Sequence, residues 1–270
     1  SFDGCATALP QKMGTLMKWL GVPVVTVITQ GAFHRDPLYN MLQIRDVKVS
    51  AHVKCIATPE EVKEKSVEEL DALLAESFSF DNFAWQRDNK ISIDVPFRAD
   101  GLHRILYKCP HCNEENQMEG KGIHLTCRAC GKRWEMDEYG QLSATEGETE
   151  FPHVPDWFRW EREQVRAQIE RGEYRFEDEV DVHSMPGCWR FEPLGKAKLT
   201  HDAENGFILE GFYRGEPYTI KRAPLENNSL HVEYDFPHIK PFDCIDLSTT
   251  NDSFYCFPTK ENVVTKLAFA

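Results

Sequence analysis

A chain of 270 residues with 41% hydrophobic and 28% charged side chains can bury more than one core, which excludes general disorder and points to more than one domain. Its net charge of −13 and pI near 5.3 exclude broad contact with phosphate backbones, so nucleic acid is not expected as a partner. No run reaches the roughly 18 apolar residues of a membrane span, and the first residues lack a basic start and apolar stretch, so a soluble, unexported chain is expected.

In chain order, Leu9, Met13, Leu16, Met17 and Leu20 recur at helical spacing, and Gly21 supplies a stop. Val22-Pro23-Val24-Val25-Thr26-Val27-Ile28 is short, apolar and β-branched, which predicts a buried strand with Pro23 at its start. Val47, Val49, Ala51, Val53 and Cys55 alternate with mostly polar residues, which predicts a second strand with one solvated face. Thr58-Pro59-Glu60-Glu61 opens a helical turn. Ser66 and Glu69 make a capping box for a helix whose apolar stripe is Val67, Leu70, Leu73 and Leu74. Helix, strand, strand, helix reads as the tail of an α/β domain.

Residues 103–143 hold two cysteine pairs between short strand-like pieces, Arg104-Ile105-Leu106-Tyr107 and Lys132-Arg133-Trp134-Glu135-Met136. Asp156–Arg171 reads as a bridging helix capped by Asp156, with Trp157, Trp160, Val165 and Ile169 on its apolar side and Gly172 at its end. From 174 to 259 six short strands follow: Lys198–Thr200, Phe207–Leu209, Tyr218–Ile220, Leu230–Tyr234, Cys244–Leu247 and Phe254–Phe257. They suggest a sheet closing on itself. Thr259-Lys260-Glu261-Asn262 then caps a terminal helix. Strands closed by one helix resemble the pleckstrin-homology or GRAM shape.

Cys109-Pro110-His111-Cys112 and Cys127-Arg128-Ala129-Cys130 are two CxxC knuckles fourteen residues apart. Each places two thiolates on one tight turn, and a hairpin between them brings four sulfurs around one ion. Zinc is the expected cofactor, structural rather than catalytic because four thiolates leave no position for water. The competing readings are a redox CxxC, an iron–sulfur centre on the same thiolates, and no metal. His111 and His124 stand close enough in sequence to substitute as ligands. Cys5, Cys55, Cys188, Cys244 and Cys256 are scattered and read as reduced core or surface thiols.

Ser1-Phe2-Asp3-Gly4, a helix, and then Val22-Pro23-Val24-Val25-Thr26-Val27 resemble the stretch after the Glu-Gly-Thr-Arg-type motif of PlsC-type glycerolipid acyltransferases, in particular the family that acylates 1-acylglycerol 3-phosphate. Thr26 stands where that family's strand block has a second proline. The resemblance extends through Asn82-Phe83-Ala84-Trp85-Gln86 and the cysteine knuckles to most of the chain. It implies an α+β multidomain chain: 1–100 the C-terminal part of an α/β acyltransferase domain, 101–145 a zinc ribbon, 146–173 a linking helix and 174–270 a β-rich domain. It also implies acyl transfer from acyl-carrier protein or coenzyme A to a lysophospholipid by the parent protein, cytoplasmic and at most peripheral at the inner face of the membrane.

The family's base is the His of an upstream His-x4-Asp block, which this sequence lacks, as it lacks the phosphate-binding block. The chain therefore reads as the C-terminal portion of a longer enzyme, inactive alone, with no catalytic residue of its own. The alternative is a non-catalytic zinc-ribbon plus pleckstrin-homology-like module that binds a protein or lipid headgroup. His238-Ile239-Lys240-Pro241-Phe242-Asp243 matches His-x4-Asp formally but reads as an inter-strand loop, Pro241 opposing a helical turn. His34-Arg35-Asp36 reads as a solvated loop before Pro37. Asp81, Trp85, Gln86 and Arg87 read as packing beside the sheet, and Glu60, Glu61, Glu64, Glu68 and Glu69 as a solvated helix face.

Overall fold

A computed structural model describes every residue except Ser1, Ala8, Leu225, Asn227, Asn228, Ser229, Pro237, Lys240, Pro241, Thr250, Asn251 and Glu261, and every remaining side chain except that of Cys188. The chain is mixed α and β, with three antiparallel sheets of two, four and seven strands and seven α-helices among the described residues.

Helix α1 (Met13–Leu20) leads through Gly21 into strand β1 (Val24–Gln30), and the short helix α2 (Ala32–Arg35) follows. Strand β2 (Ser50–Ala57) pairs antiparallel with β1, and helices α3 (Pro59–Glu64), α4 (Val67–Ser77) and α5 (Asn82–Asp88) come next. The capping boxes read from Thr58 and Ser66 are both formed, each hydroxyl accepting from an N–H three residues on and each glutamate returning to the cap amide. Asp81 caps α5 through the N–H of Ala84 at 2.9 Å.

A small core joins these pieces. Met17, Val62, Leu70 and Leu74 of the helices pack on Val24, Ile56 and Ala57 of the strands. Helix α1 comes so close to α4 that a Cβ on Gly14 would lie 2.3 Å from the Val67 carbonyl oxygen. The Gly14 N–H donates to Asp71 Oδ1 at 2.6 Å.

The expectation that β1 is buried does not hold. Register pairs Val25 with Cys55, Val27 with Val53 and Thr29 with Ala51, so these six side chains share one face, and all six are exposed. Val27 is 56% and Val53 70% exposed. The reason is tertiary: β1 has only β2 beside it and helices on only one face.

The four-stranded sheet runs β3 (Met118–Lys121), β4 (His124–Cys127), β5 (Arg133–Met136) and β6 (Leu142–Ala144), a simple meander. Residues 104–107 are not a strand: a 3-10 turn at Leu102–Arg104 carries Ile105, Leu106 and Tyr107 into full burial beneath the meander. Helix α6 (Val154–Glu170) starts before Asp156. Pro155, with its preset φ, fits the first turn, and Asp156 instead accepts from Arg159 at 3.0 Å.

The third sheet contains β7 (Arg175–Ser184), β8 (Glu192–Asp202), β9 (Gly206–Tyr213), β10 (Glu216–Arg222), β11 (His231–Glu233), β12 (Cys244–Asp246) and β13 (Phe254–Pro258). Its order is β10-β9-β8-β7-β13-β12-β11. The two outermost strands do not pair, so among the described residues the sheet stays open. Strand β7 escapes a count of six because acids fill its solvent face, while Phe176, Val180 and Val182 alternate inward.

Helix α7 (Val264–Phe269) ends the chain. Thr259 does not cap it: its N–H and hydroxyl, with the N–H of Lys260, bind the Asp178 carboxylate, and Glu261 lies outside the described residues. One apolar core runs from Tyr39 through the meander and α6 to Leu267.

Candidate metal centre

The two knuckles have the same backbone. The N–H of Asn113 donates to the Cys109 carbonyl (2.9 Å) and that of Cys109 to Glu114 (2.9 Å); Gly131 donates to Cys127 (2.8 Å) and Cys127 to Lys132 (2.8 Å). Asn113 (φ 63°) and Gly131 (φ 77°) hold the left-handed position each turn needs, which glycine and asparagine tolerate best.

The turns bring Sγ of Cys109 to 3.8 Å from that of Cys130 and Sγ of Cys112 to 3.7 Å from that of Cys127, and all four sulfurs lie within 4.8 Å of one another. Four thiolates at about 2.3 Å around a tetrahedral ion have sulfurs about 3.8 Å apart, so the spacing is that of a metal site. No other cluster of three or more metal-ligating side chains occurs among the described residues. Cys109 and Cys127 are fully buried, and burial pushes both thiols up. A bound cation reverses that cost by stabilising the thiolates.

The histidines are not ligands. His111 Nδ1 lies 3.5 Å from Glu150 and His124 Nε2 lies 3.5 Å from Glu135. Glu150 braces the second knuckle: it accepts from Lys132 Nζ (2.6 Å) and Trp134 Nε1 (3.2 Å). Burial opposes its charge, yet these donors hold its carboxyl below the usual range.

The first knuckle is tied to α6. Trp157 Nε1–H donates to the Lys108 carbonyl at 3.0 Å, and the Lys108 N–H donates to Glu161 Oε1 at 2.7 Å. Glu161 is fully buried, and burial pushes its carboxyl well above the ordinary value. Neither residue was singled out with its partner from the sequence, although Glu161 lies midway between Trp157 and Val165 on the inward stripe, where an acid is out of place.

The remaining candidates are spread through the scaffold. His34 is buried on α2 rather than solvated, donating from Nε2 to the Asn82 carbonyl at 2.8 Å, and burial drives its pKa down to about 4. Arg35 and Asp36 are exposed. Gln86 donates to the carbonyls of Ile91 and Glu138, while Asp81 pairs with His153 at 2.7 Å.

Cys5 has its thiol pushed up to about 12, first by burial and then by Asp3 and Asp81, which disfavours the thiolate form. Cys55 is exposed, Cys244 and Cys256 are buried, and the Cys188 side chain lies outside the described residues. The acids Glu60, Glu61, Glu64, Glu68 and Glu69 are all exposed. Asp243, from the formal His-x4-Asp match, accepts from Arg104 Nε and the Asp235 N–H, a structural pairing; Lys240 and Pro241 of that segment lie outside the described residues.

No helix among the described residues is long and apolar enough to cross a membrane. Comparison of the chain with protein-family models, curated proteins and solved structures finds no match.

Proposed function

We propose that this chain is the C-terminal portion of a PlsC-type acyltransferase in which a structural zinc ribbon fastens an α/β catalytic layer to a β-rich domain. The observation that carries the reading is the bare apolar face of β1 and β2. Among the described residues, ten of the thirteen large exposed hydrophobic side chains fall within residues 16–53; Val25, Val27 and Val53 lie on the sheet face itself, and Leu16, Trp19 and Leu20 lie on α1. A two-stranded sheet is marginal alone, and an exposed, uncharged sheet face supports the reading that further strands or helices of the whole protein cover it. This is the stretch that resembles the acyltransferase strand block.

The acyl donor, acyl-carrier protein or coenzyme A, and the lysophospholipid acceptor would then meet on the covering part, which would supply the His-x4-Asp base and any peripheral membrane contact. Zinc is the ion preferred for the four thiolates because such a closed tetrahedral shell suits it and leaves no site for substrate. The seven-stranded antiparallel sheet followed by a terminal helix supports a second reading for the β-rich part, a pleckstrin-homology-like binding domain.

The coding sequence upstream of Ser1 tests the proposal. A His-x4-Asp and a Glu-Gly-Thr-Arg block there, with acyl transfer to 1-acylglycerol 3-phosphate lost when that His becomes Ala, would support it. An initiation codon at Ser1, or a complete protein without such turnover, would overturn it in favour of a binding module.

A further inference from the structure

Helix α6 follows the four cysteines in sequence, yet it reaches both knuckles. Trp157 and Glu161 stand four residues apart, so successive turns present them on the same side of the helix. Together they hold Lys108, the residue immediately before Cys109. Trp157 Nε1–H donates to the Lys108 carbonyl at 3.0 Å, and the Lys108 N–H donates to Glu161 Oε1 at 2.7 Å.

The other side of this segment leaves those two groups to α6. Lys108 and Glu115 form an antiparallel bridge made by the flanking bonds, from the Cys109 N–H to the Glu114 carbonyl and from the Asn116 N–H to the Tyr107 carbonyl, both 2.9 Å. The N–H and carbonyl of Lys108 therefore point away from Glu115, where no strand pairs with them, and α6 supplies both partners.

Trp157 also touches the second knuckle. Its fully buried ring meets that of Trp134 edge-on, centroids 5.0 Å apart. Trp134 and Lys132 donate together to Glu150, and the Lys132 carbonyl accepts the Cys127 N–H. One side chain thus stands between the residue before Cys109 and the strand after Cys130.

Glu161 is the part that packing alone leaves unexplained. It is 0% exposed on the inward stripe between Trp157 and Val165, where an apolar side chain would pack without the cost of burying a carboxyl. Its Oε2 has no hydrogen-bond partner among the described residues. The bond its other oxygen makes is to the peptide that enters the first knuckle.

We infer that Trp157 and Glu161 are positioning residues of the metal centre: α6 sets how the two knuckles stand against each other, and so how slowly the ion leaves. Groups that fix a ligand's orientation from outside the coordination shell tune metal affinity in this way. The inference rests on the four cysteines holding a metal and is independent of the acyltransferase reading.

Cobalt(II) loaded into the full chain is the probe, with its thiolate charge-transfer absorption followed while an excess of chelator removes it. Glu161→Met fills the space but cannot accept, and should release the ion about tenfold faster than the parent; Trp157→Phe keeps a ring without the donor and should release it about threefold faster. Glu161→Gln keeps an oxygen toward the Lys108 N–H and should release it at the parent's rate. Val165→Ala, on the same buried stripe but without a hydrogen-bonding group, is the control for lost stability. Release from Glu161→Met and Trp157→Phe no faster than from Val165→Ala would overturn the inference, as would equal acceleration by Glu161→Gln and Glu161→Met. If Glu161→Met does not fold, Trp157→Phe against Val165→Ala decides. A parent chain that takes up no cobalt would overturn the metal centre itself, and this inference with it.

Discussion

Arg104 and Asp243 bind each other across 139 positions of sequence, Nε to Oδ1 at 3.3 Å, and the pair locks three parts of the molecule together. The same guanidinium reaches Asp235 Oδ2 at 3.4 Å and the Tyr39 carbonyl at 3.1 Å, while Thr265 of α7 donates to the Arg104 carbonyl at 2.5 Å. Both side chains of the pair are largely buried. Burial outweighs Arg104 and leaves the Asp243 carboxyl above its ordinary value.

Arg104→Met strands that carboxylate and should destabilise the chain by about 3 kcal/mol at pH 7. Adding Asp243→Asn should recover part of the loss. Urea midpoints of the two variants at fixed metal content check this; a midpoint for Arg104→Met within error of the parent would contradict it.

The buried histidines set a pH dependence. His34 and His201 are each driven down to about 4, mainly by burial, against about 6.5 when unfolded. A depressed histidine means the unfolded chain binds the proton first. Stability is therefore full above pH 6.5 and falls as the pH drops toward 4, by up to about 3 kcal/mol per histidine. His34→Gln keeps a donor toward the Asn82 carbonyl, and its urea midpoint should change less between pH 7.5 and pH 5 than that of the parent.

Loss of the metal should reach beyond the meander. The first knuckle is bonded to Trp157 and Glu161 of α6, and Glu115 beside it accepts from Lys108 and from Lys266 of α7. Purified chain should carry about one equivalent of metal. Chelation, or Cys109→Ser with Cys127→Ser, should lower the thermal midpoint and expose amides of α6 and α7 to exchange, because metal binding and folding are coupled. Metal content that survives the double substitution would exclude the four-cysteine centre.

The bare sheet face makes a prediction of opposite kind. Val25→Lys and Val53→Lys should leave the stability of this chain within about 0.5 kcal/mol, because neither side chain is buried in it. They should reduce self-association in sedimentation velocity. A loss of several kcal/mol in this chain would show that the face is covered within it.

The sequence by itself determined the features whose geometry closes within a few residues. Two CxxC turns followed by Asn113 and Gly131 define the sulfur positions on each knuckle, and Thr58–Glu61 and Ser66–Glu69 define two helix starts, whatever the rest of the chain does. Most of the later strands were also legible as short apolar or β-branched runs between turns, although β12 is buried at all three of its positions.

Burial and pairing were decided only by the tertiary structure. The apolar run of β1 reads as a buried strand, yet whether anything covers Val25 and Val27 depends on what packs there, not on the run itself. His34 looks like loop polarity until Phe33, Phe83 and Trp85 close around it. Arg104 found Asp243 only when the β-rich sheet docked against the meander. A side chain's own neighbours in sequence fix its turn and its face, while the burial of His34 and the charge partner of Arg104 are set by segments 48 and 139 positions away.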